Sequence, residues 1–94
     1  MDWMSVAGVI GNGLKSTDIS TPGDFNTPIG VGSWYYWGSN ATNTPDGYDI
    51  AYGKRVVFYS SDNSVFEIFY SLNNSKLYVR GQAWTSAWKQ INLS

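Results

Sequence analysis

The sequence predicts a small all-β domain: an antiparallel β-sheet, sandwich-like or part of an interlocked trimer, preceded by an irregular neck. Its 94 residues are enough for one domain with a modest core. No segment keeps the 3.6-residue period of a helix, whereas apolar residues alternate with a period of two from residue 32 onward. Aromatic residues, which favour strands, make up 17% of the chain.

The first 23 residues differ from the rest because they are rich in glycine and contain no tyrosine or phenylalanine. Their apolar residues are spaced loosely like a helical face, but glycines interrupt them: Val6, Val9, Ile10 and Leu14. We therefore predict that residues 1–23 are an extended or irregular neck linked to an upstream protein. Residues 24–94 are predicted to form the domain itself.

Short runs of β-forming residues follow, each ended by glycine or by a polar turn. Residues 44–47 read Thr-Pro-Asp-Gly, a turn signature with proline at its second position. Two strands are predicted to end at the glycines 38 and 53, and a hairpin tip is predicted at Asn73 and Asn74. The predicted strands are 33–37, 48–52, 55–59, 65–72, 76–80 and 88–93.

The strand at 65–72 carries large apolar residues on both of its faces. Phe66 and Ile68 lie on one face, and Val65 and Phe69 lie on the other. A one-sided sheet would leave Val65 and Phe69 in water, so either a second layer or another copy of the chain covers them. We predict an oligomer interface formed by Val65 and Phe69 together with Val9 and Ile10 of the neck. In the partner strand, Leu77 and Val79 are expected to point inward.

Composition excludes several classes of function. Six Lys/Arg stand against seven Asp/Glu, for a net charge of −1, so no nucleic-acid partner is expected. The chain has no cysteine and no histidine, which removes disulfides, thiolate metal sites and the commonest metal ligand. Apolar runs of a few residues predict no membrane insertion. No cofactor is expected.

Four motifs in order resemble the pyocin-knob type domain found near the C-termini of phage tail fibres and R-type pyocin fibres. They are DFNTP with GSWYY at 24–28 and 32–36, ATNTPDG at 41–47, KLYVR at 76–80 and WTSAWKQI at 84–91. The departure from the family pattern is the insertion of residues 29–31 before the glycine-aromatic run. The resemblance implies a threefold fibre end that follows a fibre shaft in the virion and contacts the bacterial surface, commonly its polysaccharide.

Aromatic and amide side chains carry the strongest functional signal. A sugar ring stacks its C–H face on Trp or Tyr, while Asn and Asp bind its hydroxyls. Because they lie in or beside polar loops, we predict five ligand contacts: Trp37, Asn40, Asn43, Tyr48 and Trp84. The competing interpretation is that aromatic residues fill the core, which we expect for Trp34, Tyr36, Phe58, Phe66 and Trp88.

No catalytic or metal-binding constellation is predicted. Glycan hydrolysis needs two carboxylates, but Glu67 is the only glutamate and is expected to be an exposed or interface strand residue. Asp46 and Asp49 lie in one oxygen-rich loop, which lacks the spacing of an EF-hand calcium site. The basic pair at residues 54 and 55 is expected to form a solvated strand edge.

These observations favour a non-enzymatic phage tail-fibre domain at the fibre tip that recognises a bacterial surface polysaccharide at the host cell. The alternative is a structural trimerisation or folding cap that binds no receptor. A glycan array separates the two hypotheses, because a structural cap would give no signal.

Overall fold

The computed structural model describes residues 16–59, except the side chain of Tyr59, and residues 64–92. They form one six-stranded sheet and contain no helix, so none of this part of the chain is a helix long and apolar enough to cross a membrane. The strands are β1 Thr17–Ile19, β2 Gly32–Gly38, β3 Ala51–Tyr59, β4 Val65–Ser71, β5 Lys76–Gln82 and β6 Lys89–Ile91.

The sheet confirms the all-β prediction, although it is mixed rather than wholly antiparallel. The strands lie side by side in chain order, and β2 to β6 pair antiparallel with their neighbours. Strand β1 pairs parallel with β2, in register from Thr17 opposite Trp34 to Ile19 opposite Tyr36. The sheet thus includes part of the segment that we assigned to the neck. Residues 6, 9, 10 and 14 of that segment lie outside the described residues.

The prediction that a strand stops at Gly53 is wrong, because β3 runs through it. Gly53 is opposite Ser71 and lies directly beneath the ring of Phe69. A Cβ atom there would lie 2.7 Å from Cζ of Phe69 and closer still to the carbonyl oxygen of Tyr70. Glycine is therefore needed at this position for close packing rather than for a turn.

One face of the sheet, the covered face, is packed by three loops of the same chain: 20–31, 39–50 and 83–88. These loops contribute Phe25, Ala41 and Trp88 to a core that also contains Tyr36 and Phe69. The centroid of the Phe25 ring lies 4.8 Å from that of the Tyr36 ring. It lies 5.4 Å from the centroid of the Phe69 ring, which Phe25 meets edge-on. Within residues 16–59 and 64–92, the second layer is thus made of loops, not of a second sheet.

Residues of β4 share faces as the period of two predicted. The prediction that Val65 and Phe69 are covered by another copy of the chain is wrong. Val65 and Phe69, predicted at an oligomer interface, are 3% and 1% exposed within a single chain. On strand β5, the side chains of Tyr78 and Arg80 lie on the covered face. Leu77 and Val79, which were expected to point inward, lie on the opposite face. Alternation shows which residues share a face, but the loops that cover one face come from distant parts of the sequence.

The other face of the sheet, the open face, carries apolar side chains that the described loops do not cover. Phe58 and Phe66, predicted in the core, are 45% and 47% exposed there. Their rings lie side by side on strands β3 and β4, with the ring centroids 6.0 Å apart. The side chains of the open face include Asp18, Tyr35, Trp37, Tyr52, Lys54, Val56, Phe58, Phe66, Ile68, Tyr70, Leu72, Leu77, Val79, Lys89 and Ile91.

Candidate functional site in the loop layer

A buried ionic triad lies under the three loops. Arg55 Nε donates to Oε1 of Glu67 at 2.6 Å, and Arg80 Nε donates to Oε2 of the same carboxylate. Glu67 is 0% exposed, and both arginines are buried. The expectations of an exposed or interface Glu67 and of a solvated edge at Arg55 are therefore wrong. Strand alternation turns all three residues to the covered face, where each charge has a partner.

The triad fixes the first loop to the sheet. The carbonyl oxygen of Phe25 accepts hydrogen bonds from both guanidinium groups, from Nη2 of Arg55 at 3.2 Å and from Nη2 of Arg80. Nη1 of Arg55 donates to the Tyr36 hydroxyl at 3.0 Å. Burial lowers the pKa of Arg80 despite the opposing effect of Glu67, and it raises the pKa of Tyr36. Two arginines against one glutamate leave this centre with one net positive charge.

A polar cleft of about 280 Å³ opens where the three loops meet. We call it the loop cleft; its walls include Asn26, Asn43, Thr44, Arg80, Ser86 and Trp88. Arg80 Nη1 donates to Oδ1 of Asn26 at 2.7 Å and to the carbonyl oxygen of Ser86 at 3.4 Å. The Arg80 guanidinium also lies 4.4 Å above the Trp88 ring. One side chain of the triad thus positions a residue from the first loop and two from the third.

Asn43 is the predicted ligand residue that lines the loop cleft. Its backbone has a φ of 54°, a left-handed conformation that asparagine tolerates. Its Nδ2 donates to Oδ1 of Asp24 at 2.8 Å, and the same oxygen accepts from the backbone N–H of Asn26. The hydrogen bond from Asn43 is the largest cause that lowers the pKa of Asp24, followed by that from Asn26. Two of the three loops are therefore joined at the edge of the cleft.

Three further predicted ligand residues lie in the same loop layer. Asn40 is exposed and has a φ of 63°, and Tyr48 is exposed in the second loop. Tyr48 is held by its backbone: its carbonyl accepts from Oγ1 of Thr44, and its N–H donates to Asp46. Trp84 is half-buried in the third loop, where its ring lies 5.9 Å from the Arg55 guanidinium carbon.

Trp37 does not belong to this group. It alternates with Tyr36 along β2, so that its side chain lies on the open face, where it is 51% exposed. The loop layer lies on the opposite face of the sheet. The five predicted ligand residues therefore do not form one site.

Arg80 and Asn26 were not predicted as cleft residues, and Trp88 was predicted only in the core. Trp88 does pack against the core, 6.5 Å from the rings of Phe25 and Phe69, but it also lines the cleft. Its Nε1 is buried and has no hydrogen-bond partner in the described part of the molecule. The charged residues of the sequence could have indicated the triad. A lone glutamate within one predicted strand, with an arginine on each neighbouring strand, is typical of a buried ionic triad.

The loop layer offers hydrogen bonds rather than reactive groups. Both oxygens of Glu67 are held by arginines, and Oδ2 of Asp46 accepts from the Ser71 hydroxyl at 2.7 Å. Residues 16–59 and 64–92 contain no group of three His, Cys, Asp or Glu side chains that could hold a metal ion.

A scan of family models and searches of curated proteins and of solved structures found no match for this chain. Function is therefore inferred from the residues themselves.

Proposed function

We propose that the chain is the distal domain of a phage tail fibre and binds a bacterial surface polysaccharide at the loop cleft. The observation that carries the proposal is the cleft itself, in which amide and hydroxyl groups surround an arginine stacked on a tryptophan. Its volume is close to the lower limit of about 300 Å³ for small-molecule sites, which suits one sugar unit of a longer chain. The ordered motifs that resemble the pyocin-knob domain support the fibre assignment.

The chemistry of the cleft walls fits a carbohydrate. Amides of Asn26 and Asn43 and the hydroxyl of Ser86 can exchange hydrogen bonds with sugar hydroxyls. Tyr48 and Trp84 do not line the cleft but lie in the second and third loops, where they offer aromatic surface to further sugar units. Because the triad already holds the cleft walls in place, little conformational entropy is lost on binding.

In this proposal the domain recognises its receptor without catalysis and needs no cofactor. It acts at the fibre tip of the virion, at the host cell surface, as a homotrimer that follows an upstream fibre shaft. Binding then depends on the shape and hydrogen-bonding groups of the cleft, since sugar hydroxyls are uncharged.

Filling the cleft tests the proposal. Ala87 is exposed and lines the cleft, whereas Ala83 is exposed in the same loop but does not line it. Ala87→Trp should abolish binding on a glycan array and to host cells, because the indole occupies the space of the sugar. Ala83→Trp adds the same side chain outside the cleft and should bind like the wild type. Equal melting midpoints would show that both variants fold.

The proposed site is wrong if Ala87→Trp binds as well as the wild type. If the wild type gives no signal on a broad array of bacterial glycans while remaining oligomeric, the second candidate is favoured. That candidate is the structural trimerisation cap, and the observation that favours it is the extensive apolar surface of the open face.

A further inference from the structure

We propose that the open face is the surface through which copies of this chain associate. This inference stands apart from the glycan proposal, because it uses the opposite side of the sheet. It also replaces the predicted interface, since Val65 and Phe69 are buried within a single chain. Trp37 becomes an interface residue instead of a ligand contact.

The open face exposes large apolar side chains. Four aromatic side chains on the open face are 40–51% exposed: Trp37, Tyr52, Phe58 and Phe66. Leu72 and Ile91 are exposed as well, although both are large and apolar. Folding has placed these side chains together on one side of one sheet, in adjacent rows that run from β2 to β6.

The exposed apolar side chains of the open face cover a large area. A whole aromatic side chain buries about 200 Å², so the exposed parts of the four rings amount to about 370 Å². The two exposed aliphatic residues enlarge this area, as do six half-buried ones: Tyr35, Val56, Ile68, Tyr70, Leu77 and Val79. The total exceeds a scattering of single apolar residues and approaches the roughly 800 Å² that each partner supplies in a standard interface.

The small number of charged side chains on the open face indicates what kind of partner covers it. Pairing across the strands gives the face three charged side chains, those of Asp18, Lys54 and Lys89. Asp18 and Lys54 lie on either side of Tyr35, so a negative and a positive charge flank one aromatic residue near one edge of the face. A broad apolar surface with so little charge is typical of permanent homomeric interfaces, whereas transient partners meet through more polar ones. The occupant that fits is therefore a second copy of the chain.

Adjacent residues of strand β6 provide a matched test. Ile91 pairs with Leu77 and lies on the open face, whereas Gln90 pairs with Tyr78 and lies on the other. Both are exposed on an edge strand, so glutamate at either position should leave the fold intact. Ile91→Glu places a charge in the interface and should weaken association at least about tenfold, the scale of losing one anchor residue. Gln90→Glu should associate like the wild type.

Sedimentation velocity and light scattering on the full chain measure the result. The wild type should have the mass of two or more chains at tens of micromolar, and Phe66→Glu serves as a second interface variant. The proposal is overturned if the wild type is a monomer, whether the face is then covered by residues 1–15 or by a bound glycan. It is also overturned if Ile91→Glu and Phe66→Glu, both folded by circular dichroism, dissociate at the same concentration as the wild type in a dilution series.

Discussion

At the scale of single residues, Glu67 holds the covered face together. Its two oxygens bind two arginines that come from strands on either side of it, and both arginines also bind the carbonyl of Phe25. A buried ion pair adds little net stability over an apolar core, because desolvation offsets the attraction. Breaking one is costly, however, since the remaining charges stay buried. We infer that the triad sets the position of the first loop more than it adds to stability.

Glu67→Gln is therefore expected to lower the free energy of unfolding by about 3–5 kcal/mol. The amide keeps the size of the carboxylate, so the loss comes from charge: Arg55 and Arg80 remain buried with no counter-ion between them. Urea unfolding measures the difference. Asp49→Asn, the same chemical change at an exposed position of the second loop, should cost less than about 1 kcal/mol. A loss below about 1 kcal/mol for Glu67→Gln would mean that the triad does not secure the loop layer.

At the scale of elements, the sequence predicted strands better than it predicted their partners. The runs at 33–37, 55–59, 65–72 and 76–80 each lie in or largely within an observed strand. The turn at 44–47 is confirmed, with the N–H of Gly47 donating to the carbonyl of Thr44. Strand β1 was not predicted to join the sheet, because its sequence has no apolar alternation and its parallel pairing is non-local. The hairpin after β4 places its positive φ at Ser75, not at Asn73 or Asn74.

The loop cleft could be predicted only in part, for a similar reason. Asn43 is recognisable because amides in polar loops often bind ligands. Arg80 and Trp88 meet it only after three loops fold over one face, and no local pattern contains that information. Trp37 looked similar in sequence to a ligand residue, because an exposed aromatic at a strand end fits either a ligand or a partner chain.

Gly53→Ala tests the close packing of strands β3 and β4. The added methyl group would collide with Phe69 and with the backbone oxygen of Tyr70, so we expect a loss of about 1–3 kcal/mol of stability. Gly81→Ala is the control, since a Cβ there lies 3.8 Å from the nearest atom, the carbonyl oxygen of Val65. It should change the free energy of unfolding by less than about 0.5 kcal/mol. Chemical denaturation of both variants measures this, and equal losses would contradict the packing argument.

At the scale of the whole molecule, the sheet separates two kinds of surface. The covered face carries loops with amides, hydroxyls and a buried charged centre, and its cleft is polar. The open face carries aromatic and aliphatic side chains and little charge. Association through the open face would leave every loop cleft exposed, so an oligomer could present several clefts to one polysaccharide. The two proposals are then physically compatible and separately testable.

This arrangement predicts that association and sugar binding can be separated by mutation. Several clefts on one particle gain about 10²–10⁴ in apparent affinity for a repeating surface, without any new contact. Ile91→Glu should therefore bind cells at least about tenfold more weakly than the wild type, because the clefts are no longer linked. Its affinity for a soluble oligosaccharide of one repeat, measured by calorimetry, should be unchanged, because the cleft lies on the other face. Thr85→Trp fills the cleft from an exposed residue that does not border the open face, so it should lose both kinds of binding and yet sediment like the wild type. If Ile91→Glu instead loses affinity for the single repeat, the sugar contacts the open face or a site between chains, and the two faces do not act separately.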